Sequence, residues 1–211
     1  MARPNRPLLT RERIIAAALD LVDGHGVDAL SMRRLAERLG VRAASLYNHV
    51  STKEDLLRGI ADLVMRQVDV SGFTTGDWRA ALATWARSYR TVLAAHPNVV
   101  PFMVNGPGRL EIALSRADAV HGGLTRAGWP PRHATMIGAA VKYLVVGAAL
   151  GSFAGGFSDD AQVYADRYPN LSQAHLLRER QVEIDEGGFE LALTALLSGL
   201  EALYAEVGRP A

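Results

Sequence analysis

The sequence predicts an all-α protein, in which an N-terminal helix-turn-helix domain of three helices precedes a larger helical domain. Apolar residues recur at helical spacing in nearly every ordered segment, and no segment alternates apolar and polar residues as a strand would. The 211 residues are enough for one or two compact domains with sizeable cores. The chain has no cysteine, which excludes disulfide frameworks, cysteine-ligated zinc and thiol nucleophiles.

Four helices are predicted in the N-terminal third, and each has a recognisable start or end. The first carries an apolar stripe and ends at Gly24. Ser31 caps the second helix, which Gly40 stops. A third, very short helix follows, and a capping box of Ser51 and Glu54 opens the fourth. The four predicted helices span residues 10–23, 32–39, 42–49 and 52–68.

A second, larger domain is predicted after a small polar linker. Residues 69–77 read DVSGFTTGD, a composition typical of a linker, so the predicted domains are residues 1–68 and 77–211. The stretch 157–187 is polar, and we expect a partly ordered loop with a short helix near 172–182. The predicted helices of this domain span residues 78–95, 98–104, 109–127, 131–154 and 188–207.

The distribution of charge fits either an anionic partner for the N-terminal domain or a chance excess of a few basic residues. The chain has a net charge of +1, but residues 1–66 hold 11 Lys and Arg against 8 Asp and Glu. Arg3 and Arg6 lie among prolines, in a stretch that is either an arm touching a nucleic acid or a tail without a role.

The strongest candidate for a membrane span in the sequence is the apolar, Gly-rich run 134–157. Lys142 interrupts it, and its longest charge-free part, residues 143–158, has about 16 residues, short of the roughly 20 that a bilayer requires. A buried helix is therefore the preferred interpretation. The start of the chain, MARPNRPLLTRER, has no apolar core of a signal peptide. We expect no membrane partner and a cytoplasmic location.

The second and third predicted helices, joined at Gly40, have the form of a helix-turn-helix. Leu35, Ala36 and Leu46 are expected to face inward. The outward positions offer donors, acceptors and small side chains that suit base edges in the major groove, and their neighbours suit phosphates. The outward set is Arg42, Ala43, Ser45, Asn48 and His49, and the phosphate set is Arg33, Tyr47 and Lys53. On the pattern alone, DNA reading and a generic αα-hairpin with a solvated face both stay open.

Two sequence blocks in this region resemble the N-terminal DNA-binding domain of the TetR family of bacterial transcriptional regulators. They are SMRRLAERLGV and SLYNHVSTKEDLL, and the resemblance extends over residues 10–57. It implies sequence-specific binding of double-stranded operator DNA, with Tyr47 and Lys53 on phosphates and Arg33 on a base or a phosphate. Arg42 suits either role. The recognition face that the resemblance implies is Ala43, Ala44, Ser45, Asn48 and His49.

The resemblance also implies that the fourth predicted helix, residues 52–68, connects the three-helix DNA-binding part to the C-terminal domain, and that this domain forms a homodimer and binds a small-molecule effector. Two helices suit a dimer interface. Residues 131–154 carry many Gly and Ala, which let a partner approach closely, and residues 188–207 carry more leucines than one internal face needs. Together they predict a four-helix bundle between two subunits. Core helices of a monomer are the alternative.

An effector pocket is predicted among the helices of the C-terminal domain, lined by aromatic and a few polar side chains. Its candidate residues are Trp85, Tyr89, Phe102, Met103, Asn105, His121, Met136, Tyr143 and Phe153. The resemblance places Asp69 where tetracycline repressors have a drug-binding histidine, and VVPFMVNGPG offers no match for a second one. We therefore expect an effector other than tetracycline, whose identity the sequence does not give.

No cofactor, metal or catalytic activity is expected. No two of the six histidines have the i, i+4 spacing of a helical metal pair, and HExxH, GxSxG and P-loop motifs are absent. The sequence therefore predicts a repressor that a small-molecule effector releases from a palindromic operator. The first alternative is a DNA-binding regulator without a small ligand, either an activator or a factor controlled by a partner protein. The second is a helical interaction protein that does not bind DNA.

Overall fold

The computed structural model describes residues 9–105, 111–165 and 167–208, which form helices, 3-10 turns and loops but no strand. This confirms the predicted all-α class. The stretch that holds Arg3 and Arg6 lies outside the described residues. The α-helices are α1 (Arg11–His25), α2 (Met32–Leu39), α3 (Ala43–Leu46), α4 (Lys53–Met65), α5 (Trp78–Ala95), α6 (Val100–Asn105), α7 (Glu111–Arg126), α8 (Pro131–Ala149) and α9 (Gln181–Val207).

The chain forms two compact units. The first comprises the residues up to Gln67 together with 95–114, and the second comprises 68–94 together with the residues from Ser115 onward. Helices α5 and α7 therefore each begin in one unit and end in the other. The segment that contains α6, which the sequence groups with the C-terminal helices, clusters with the N-terminal residues.

In the first unit, α1 packs against α2 and α4, and α2 packs against α3. Side-chain hydroxyls start the first two helices. Thr10 accepts a hydrogen bond from the Arg13 backbone N–H at 3.3 Å, and Ser31 accepts one from the Arg34 backbone N–H at 3.2 Å. The central side chains of this core are Ile14, Val22, Leu35, Leu46, Leu56 and Ile60.

The start of α4 differs from the predicted capping box of Ser51 and Glu54. Thr52 is the N-cap, and its hydroxyl accepts a hydrogen bond from the Asp55 backbone N–H at 3.0 Å. The Asp55 carboxylate in turn accepts the Ser51 backbone N–H at 3.0 Å. The prediction is therefore wrong by one residue, because Asp55 takes the position expected for Glu54.

The segment between α5 and α6 closes the C-terminal end of α1. The side-chain amide of Asn98 donates to the backbone carbonyls of Val22 and Asp23, at 3.1 and 2.9 Å. His96 Nδ1 lies 2.9 Å from Asp23 Oδ2. The Asn98 amide thereby adds donors to carbonyls in the last turn of α1, where a helix leaves backbone carbonyls without partners.

An aromatic cluster forms the core of one end of the second unit. The Trp129 ring lies 5.2 Å from the Trp78 ring and 5.0 Å from the Tyr204 ring, measured between centroids. The Tyr204 hydroxyl donates to the Ala127 carbonyl at 2.5 Å. The cluster thereby joins α5, the turn before α8 and the C-terminal half of α9.

Residues 69–77 contribute to the core rather than serving only as a linker. Ser71–Thr74 form a 3-10 turn in which Phe73 is buried. The Phe73 ring meets Trp85 edge to face at 5.9 Å, and its backbone carbonyl accepts a hydrogen bond from Arg126 at 3.3 Å. Phe73 makes these core contacts from within a mostly polar stretch. The composition of residues 69–77 therefore predicted only a linker.

The helices α8 and α9 have different limits from those predicted. Helix α8 ends at Ala149 rather than at residue 154, and the Phe153 backbone N–H donates to Asp185 instead of continuing the helix. Helix α9 begins at Gln181 rather than at 188, so it runs through Gly187 and Gly188. Glycine costs a helix about 1 kcal/mol each, but the length and packing of a 27-residue helix outweigh that cost. Residues 181–187 are therefore the start of α9, and the described residues of 157–180 form 3-10 turns and loops rather than the short helix expected near 172–182.

By length and composition alone, α9 is the one helix among the described residues that could cross a membrane. The sequence had instead singled out residues 134–157. A single helix of this kind is weak evidence for a span, because helices of water-soluble proteins satisfy the same criterion.

We expect Gly123→Ala to lower the free energy of unfolding by about 1–3 kcal/mol. An added Cβ would lie 2.5 Å from Phe73 Cβ and 2.7 Å from the Phe73 carbonyl oxygen, so backbone would have to move. Gly138→Ala is the matched control, because its Cβ meets nothing closer than 3.9 Å. Urea unfolding at one protein concentration measures both. Equal stability of the Gly123 variant and the native protein would contradict the packing described here.

Candidate functional site

Helix α2 ends with the C-cap Gly40, a residue in the left-handed backbone conformation, and the chain turns there toward α3. Gly40 has φ of +65°, a conformation that residues with a side chain rarely adopt. The Gly40 backbone N–H donates to the Glu37 carbonyl at 3.2 Å, and the Val41 N–H donates to the Ala36 carbonyl at 3.0 Å. This C-cap reverses the chain direction and positions α3 beside α2.

The two sides of the helix-turn-helix separate apolar from polar residues as the sequence predicts. Leu35, Leu46 and Val50 are buried in the first unit. The predicted DNA-binding residues lie on its surface: Arg33, Arg42, Ala44, Tyr47, Asn48 and Lys53 are exposed, and Ala43, Ser45 and His49 are half-buried. The structure therefore brings all nine onto two short helices, the turn after them and the start of α4.

The positive groups on this surface are accessible to phosphates. Arg33 forms an ion pair with Glu37 at 3.0 Å, but the two side chains are 88% and 63% exposed. An exposed pair of this kind is weak, so the guanidinium can exchange its partner. Lys53 is the first residue of α4, where the helix N-terminus adds a partial positive charge.

A charged network connects α1 to the junction of α3 and α4. The Arg11 guanidinium donates to both carboxylate oxygens of Asp55, at 3.0 and 2.5 Å, and to the His49 carbonyl at 2.8 Å. Asp55 also accepts the Ser51 backbone N–H. The bonds from Arg11 and, less strongly, those from Ser51 lower the pKa of Asp55 from its usual 3.8 to about 2. The sequence analysis did not predict this network. The sequence does show its two partners, an Arg at the first position of α1 and a carboxylate in the motif KED.

The predicted effector-pocket residues are divided between the two units. Trp85 and Tyr89 are buried in the second unit with their rings stacked at 6.3 Å, and burial raises the pKa of the Tyr89 hydroxyl. His121 donates to the Pro131 carbonyl at 3.2 Å, and Met136 is exposed. Phe102 and Met103 are half-buried in the first unit, and the Asn105 side chain lies outside what the structure describes.

The two remaining candidates, Tyr143 and Phe153, line a groove of about 590 Å³ in the second unit. The C-terminal half of α8 and the first turns of α9 form its walls. Ile184 and Asp185 also line it and were not predicted, because the sequence prediction started α9 at residue 188. Phe189 lines it too, although the prediction did not assign it to the pocket. The groove combines aromatic rings with one carboxylate. Across the described ranges, no cluster of three or more His, Asp or Glu side chains could hold a metal ion.

Comparison with known proteins agrees with this architecture. The family model for bacterial regulatory proteins of the tetR family matches residues 14–60, and the model for the tetracyclin repressor-like C-terminal domain matches residues 73–204. A class A tetracycline repressor from Escherichia coli is 33% identical over 194 residues, which are 89% of this chain and 88% of that protein.

Two further relatives extend the comparison. An HTH-type transcriptional regulator from Saccharopolyspora erythraea is 38% identical over 143 residues, 68% of this chain but 61% of that protein. The crystal structure of the Streptomyces coelicolor TetR family protein ActR in complex with actinorhodin superimposes with a TM-score of 0.73. It is 29% identical and covers 93% of this chain and 97% of that one.

The helix-turn-helix and its exposed polar surface, followed by further helices, define a DNA-binding regulatory protein. The chain belongs to the TetR family of bacterial regulatory proteins, which are transcriptional regulators and not enzymes.

We expect Asp55→Asn to lower the free energy of unfolding at pH 7 by about 1 kcal/mol, because it weakens charge-assisted hydrogen bonds from Arg11. The lowered pKa means that ionised Asp55 stabilises the fold fully above a pH of about 4, and that this contribution is lost as the pH falls toward 2. The variant should therefore lose less stability than the native protein between these pH values.

Urea unfolding at a series of pH values, with protein concentration fixed, tests this. Asp20→Asn is the control, since the Asp20–Arg38 pair is exposed on both sides and should contribute little. Parallel stability curves for the Asp55 variant and the native protein would show that the carboxylate does not stabilise the fold.

Proposed function

We propose that this protein is a homodimeric, cytoplasmic repressor that binds a palindromic operator and is released by a small-molecule effector. The observation that carries the proposal is the exposed polar surface on a helix-turn-helix whose opposite side is buried. No catalytic step, cofactor or membrane is part of it. In this proposal residues 1–68 bind DNA, and residues 77–211 form the dimer and bind the effector.

On the operator, α3 and the turn after it enter the major groove. Asn48, His49 and Ser45 supply donors and acceptors to base edges, and Ala43 and Ala44 allow close approach and contact thymine methyl groups. Tyr47 and Lys53 hold phosphates, and Arg33 and Arg42 reach a base or a phosphate. Few strong base contacts are available on this surface. DNA shape therefore contributes to specificity.

Exposed, uncharged faces on α8 and α9 support the homodimer. Along α9, residues at helical spacing form one exposed stripe without charge: Gly187, Leu191, Ala195, Ser198 and Ala202. Along α8 and at its C-cap, Met136, Tyr143 and Leu150 recur every seven residues and are each more than half exposed. Apolar surface of this extent is normally covered. A second copy that packs its α8 and α9 against these faces completes a four-helix bundle and explains the apolar character of α9.

We place the effector in the second unit, and the complex of ActR with actinorhodin gives a protein of the same family that binds a small molecule. The groove beside Tyr143 and Phe153 offers aromatic surface and one carboxylate for such a molecule. Asp69, at the position expected for a drug-binding histidine, already accepts a hydrogen bond from the Ser71 N–H at 2.8 Å. An effector other than tetracycline is therefore proposed. For the effector to release the protein from DNA, effector binding and DNA binding must be coupled by about 1–3 kcal/mol.

Selection of bound duplexes from a random pool tests the DNA-binding part directly. We expect enrichment of a near-palindrome with half-sites about one helical turn apart, and competitor-resistant binding to it near physiological salt. Enrichment of no sequence over the starting pool would overturn the proposal.

Lys53→Ala and Asn48→Ala should affect DNA binding differently. The lysine variant loses a phosphate contact, so it should weaken binding to selected and random duplexes alike and reduce the slope of log K against log[salt] by about 1. The asparagine variant should lose about 1–3 kcal/mol at one base-pair position and relax the preference there. Lys142→Ala, at the only other lysine of the chain, is the control. Fluorescence anisotropy measures all three, and an unchanged salt slope for Lys53→Ala would contradict its role.

Leu191→Glu should convert the dimer to monomers, because it places a charge in the centre of the α9 stripe, where Leu191 is 74% exposed in the single chain. Sedimentation equilibrium measures the molecular mass. Thr84→Glu adds the same charge on an exposed position of α5 and should leave the dimer intact. A dimeric Leu191 variant with native affinity would place the interface elsewhere.

A further inference from the structure

The geometry points to Arg11 as a positioning residue for DNA reading, which holds the junction of α3 and α4 in its binding conformation without touching DNA itself. This inference rests on the proposed function, because it concerns how the same surface is organised. It assigns a role in operator affinity to a side chain of α1 outside the predicted recognition surface.

The contacts of Arg11 cross the junction. One guanidinium nitrogen lies 2.8 Å from the carbonyl of His49 at the end of the recognition segment, and the group also bridges both oxygens of Asp55 in the first turn of α4. Asp55 accepts the Ser51 backbone N–H at 3.0 Å. The planar Arg11 guanidinium, whose donors are fixed in direction, thus contacts residues 49 and 55 directly and residue 51 through Asp55.

The recognition segment needs such support because it is short. Helix α3 has 4 residues, and the turn after it is held by hydrogen bonds from the His49 and Val50 N–H groups to the Leu46 carbonyl. Carbonyls at a helix end lack partners within the helix and attract cations. Arg11 supplies both the donor and the charge to the His49 carbonyl. Its removal frees the backbone that carries Tyr47, Asn48 and His49.

The same guanidinium fixes the start of α4. Asp55 accepts from Arg11 in the turn that begins with Thr52 and Lys53. The phosphate-binding candidate Lys53 and the base-reading candidate Asn48 therefore flank a single ion pair. A change of this pair alters the spacing between a base contact and a phosphate contact, so specific binding suffers more than non-specific binding.

A second Arg of the same unit provides a matched comparison. Arg38 also forms an ion pair with a carboxylate of α1, at 2.9 Å from Asp20, and both side chains are exposed. The structure records no bond from Arg38 to the α3–α4 junction. Replacement of either Arg removes one positive charge from the first unit, but only Arg11 is expected to change the recognition segment.

The experiment compares Arg11→Lys, Arg11→Gln and Arg38→Gln in the full-length protein. The probes are a duplex selected by the native protein and a random-sequence duplex of equal length, and anisotropy is measured over a range of salt concentrations. Arg11→Lys keeps the charge but cannot reproduce the planar set of donors. Thermal unfolding of each variant verifies that it is folded at the assay temperature, and Arg11→Lys serves if Arg11→Gln does not fold.

We expect both Arg11 variants to lose about tenfold or more in affinity for the selected duplex. Affinity of Arg11→Lys for the random duplex should change less than about twofold, and the salt slope of Arg11→Gln, which removes the charge, should match that of the native protein, because no phosphate contact is lost. Arg38→Gln should retain the native preference for the selected duplex.

Two results would overturn the inference while the proposed function stands. One is native affinity of Arg11→Lys for the selected duplex. The other is equal weakening of Arg11→Gln on both duplexes with a salt slope reduced by about 0.9, which would make Arg11 an ordinary phosphate contact. A native protein that selects no duplex would instead refute the proposed function, and the inference with it.

Discussion

The ion pair of Arg11 and Asp55 is the constraint on which the arrangement of the first unit depends. Its two residues are far apart in sequence, yet the pair connects the start of α1 to the turn after α3 and to the first turn of α4. The packing of α1 against α4 brings the two charges together. Arg11 then donates to the His49 carbonyl, and Asp55 accepts the Ser51 N–H. These bonds hold the backbone between α3 and α4, which is not helical. The low pKa of Asp55 results from these hydrogen bonds, those from Arg11 above all.

The second unit is organised differently, by aromatic rings rather than by charge. Trp78, Trp129 and Tyr204 meet at one end, while Phe73 and Trp85 meet in another cluster. Close approach at Gly123 allows Phe73 to lie against α7. These clusters leave one side of α8 and α9 without an internal partner. The unit is therefore well packed at its aromatic clusters and uncovered along the faces assigned to the dimer.

Local signals in the sequence predicted the fold well wherever they were unambiguous. Ser31 and Gly40 delimited α2, and the α5 limits agree with the structure. The predictions were wrong where two local signals competed or where a distant residue decided the outcome: Ser51 against Thr52 as a cap, and Gly187 and Gly188 inside α9. For the candidate site, outward positions followed from helical periodicity, but Arg11 did not. Its role depends on a tertiary contact with Asp55, which periodicity cannot reveal.

The uncovered face of α9 has a consequence for the life of the protein in the cell. A newly synthesised chain displays Leu191 and its neighbours to solvent until it meets another copy. During that interval it resembles a partly folded protein, because exposed apolar helices are what chaperones and proteases recognise. In the proposed dimer, assembly therefore acts as a quality check. We expect chains that fail to find a partner to be preferentially removed, which would limit the number of monomers able to bind half an operator.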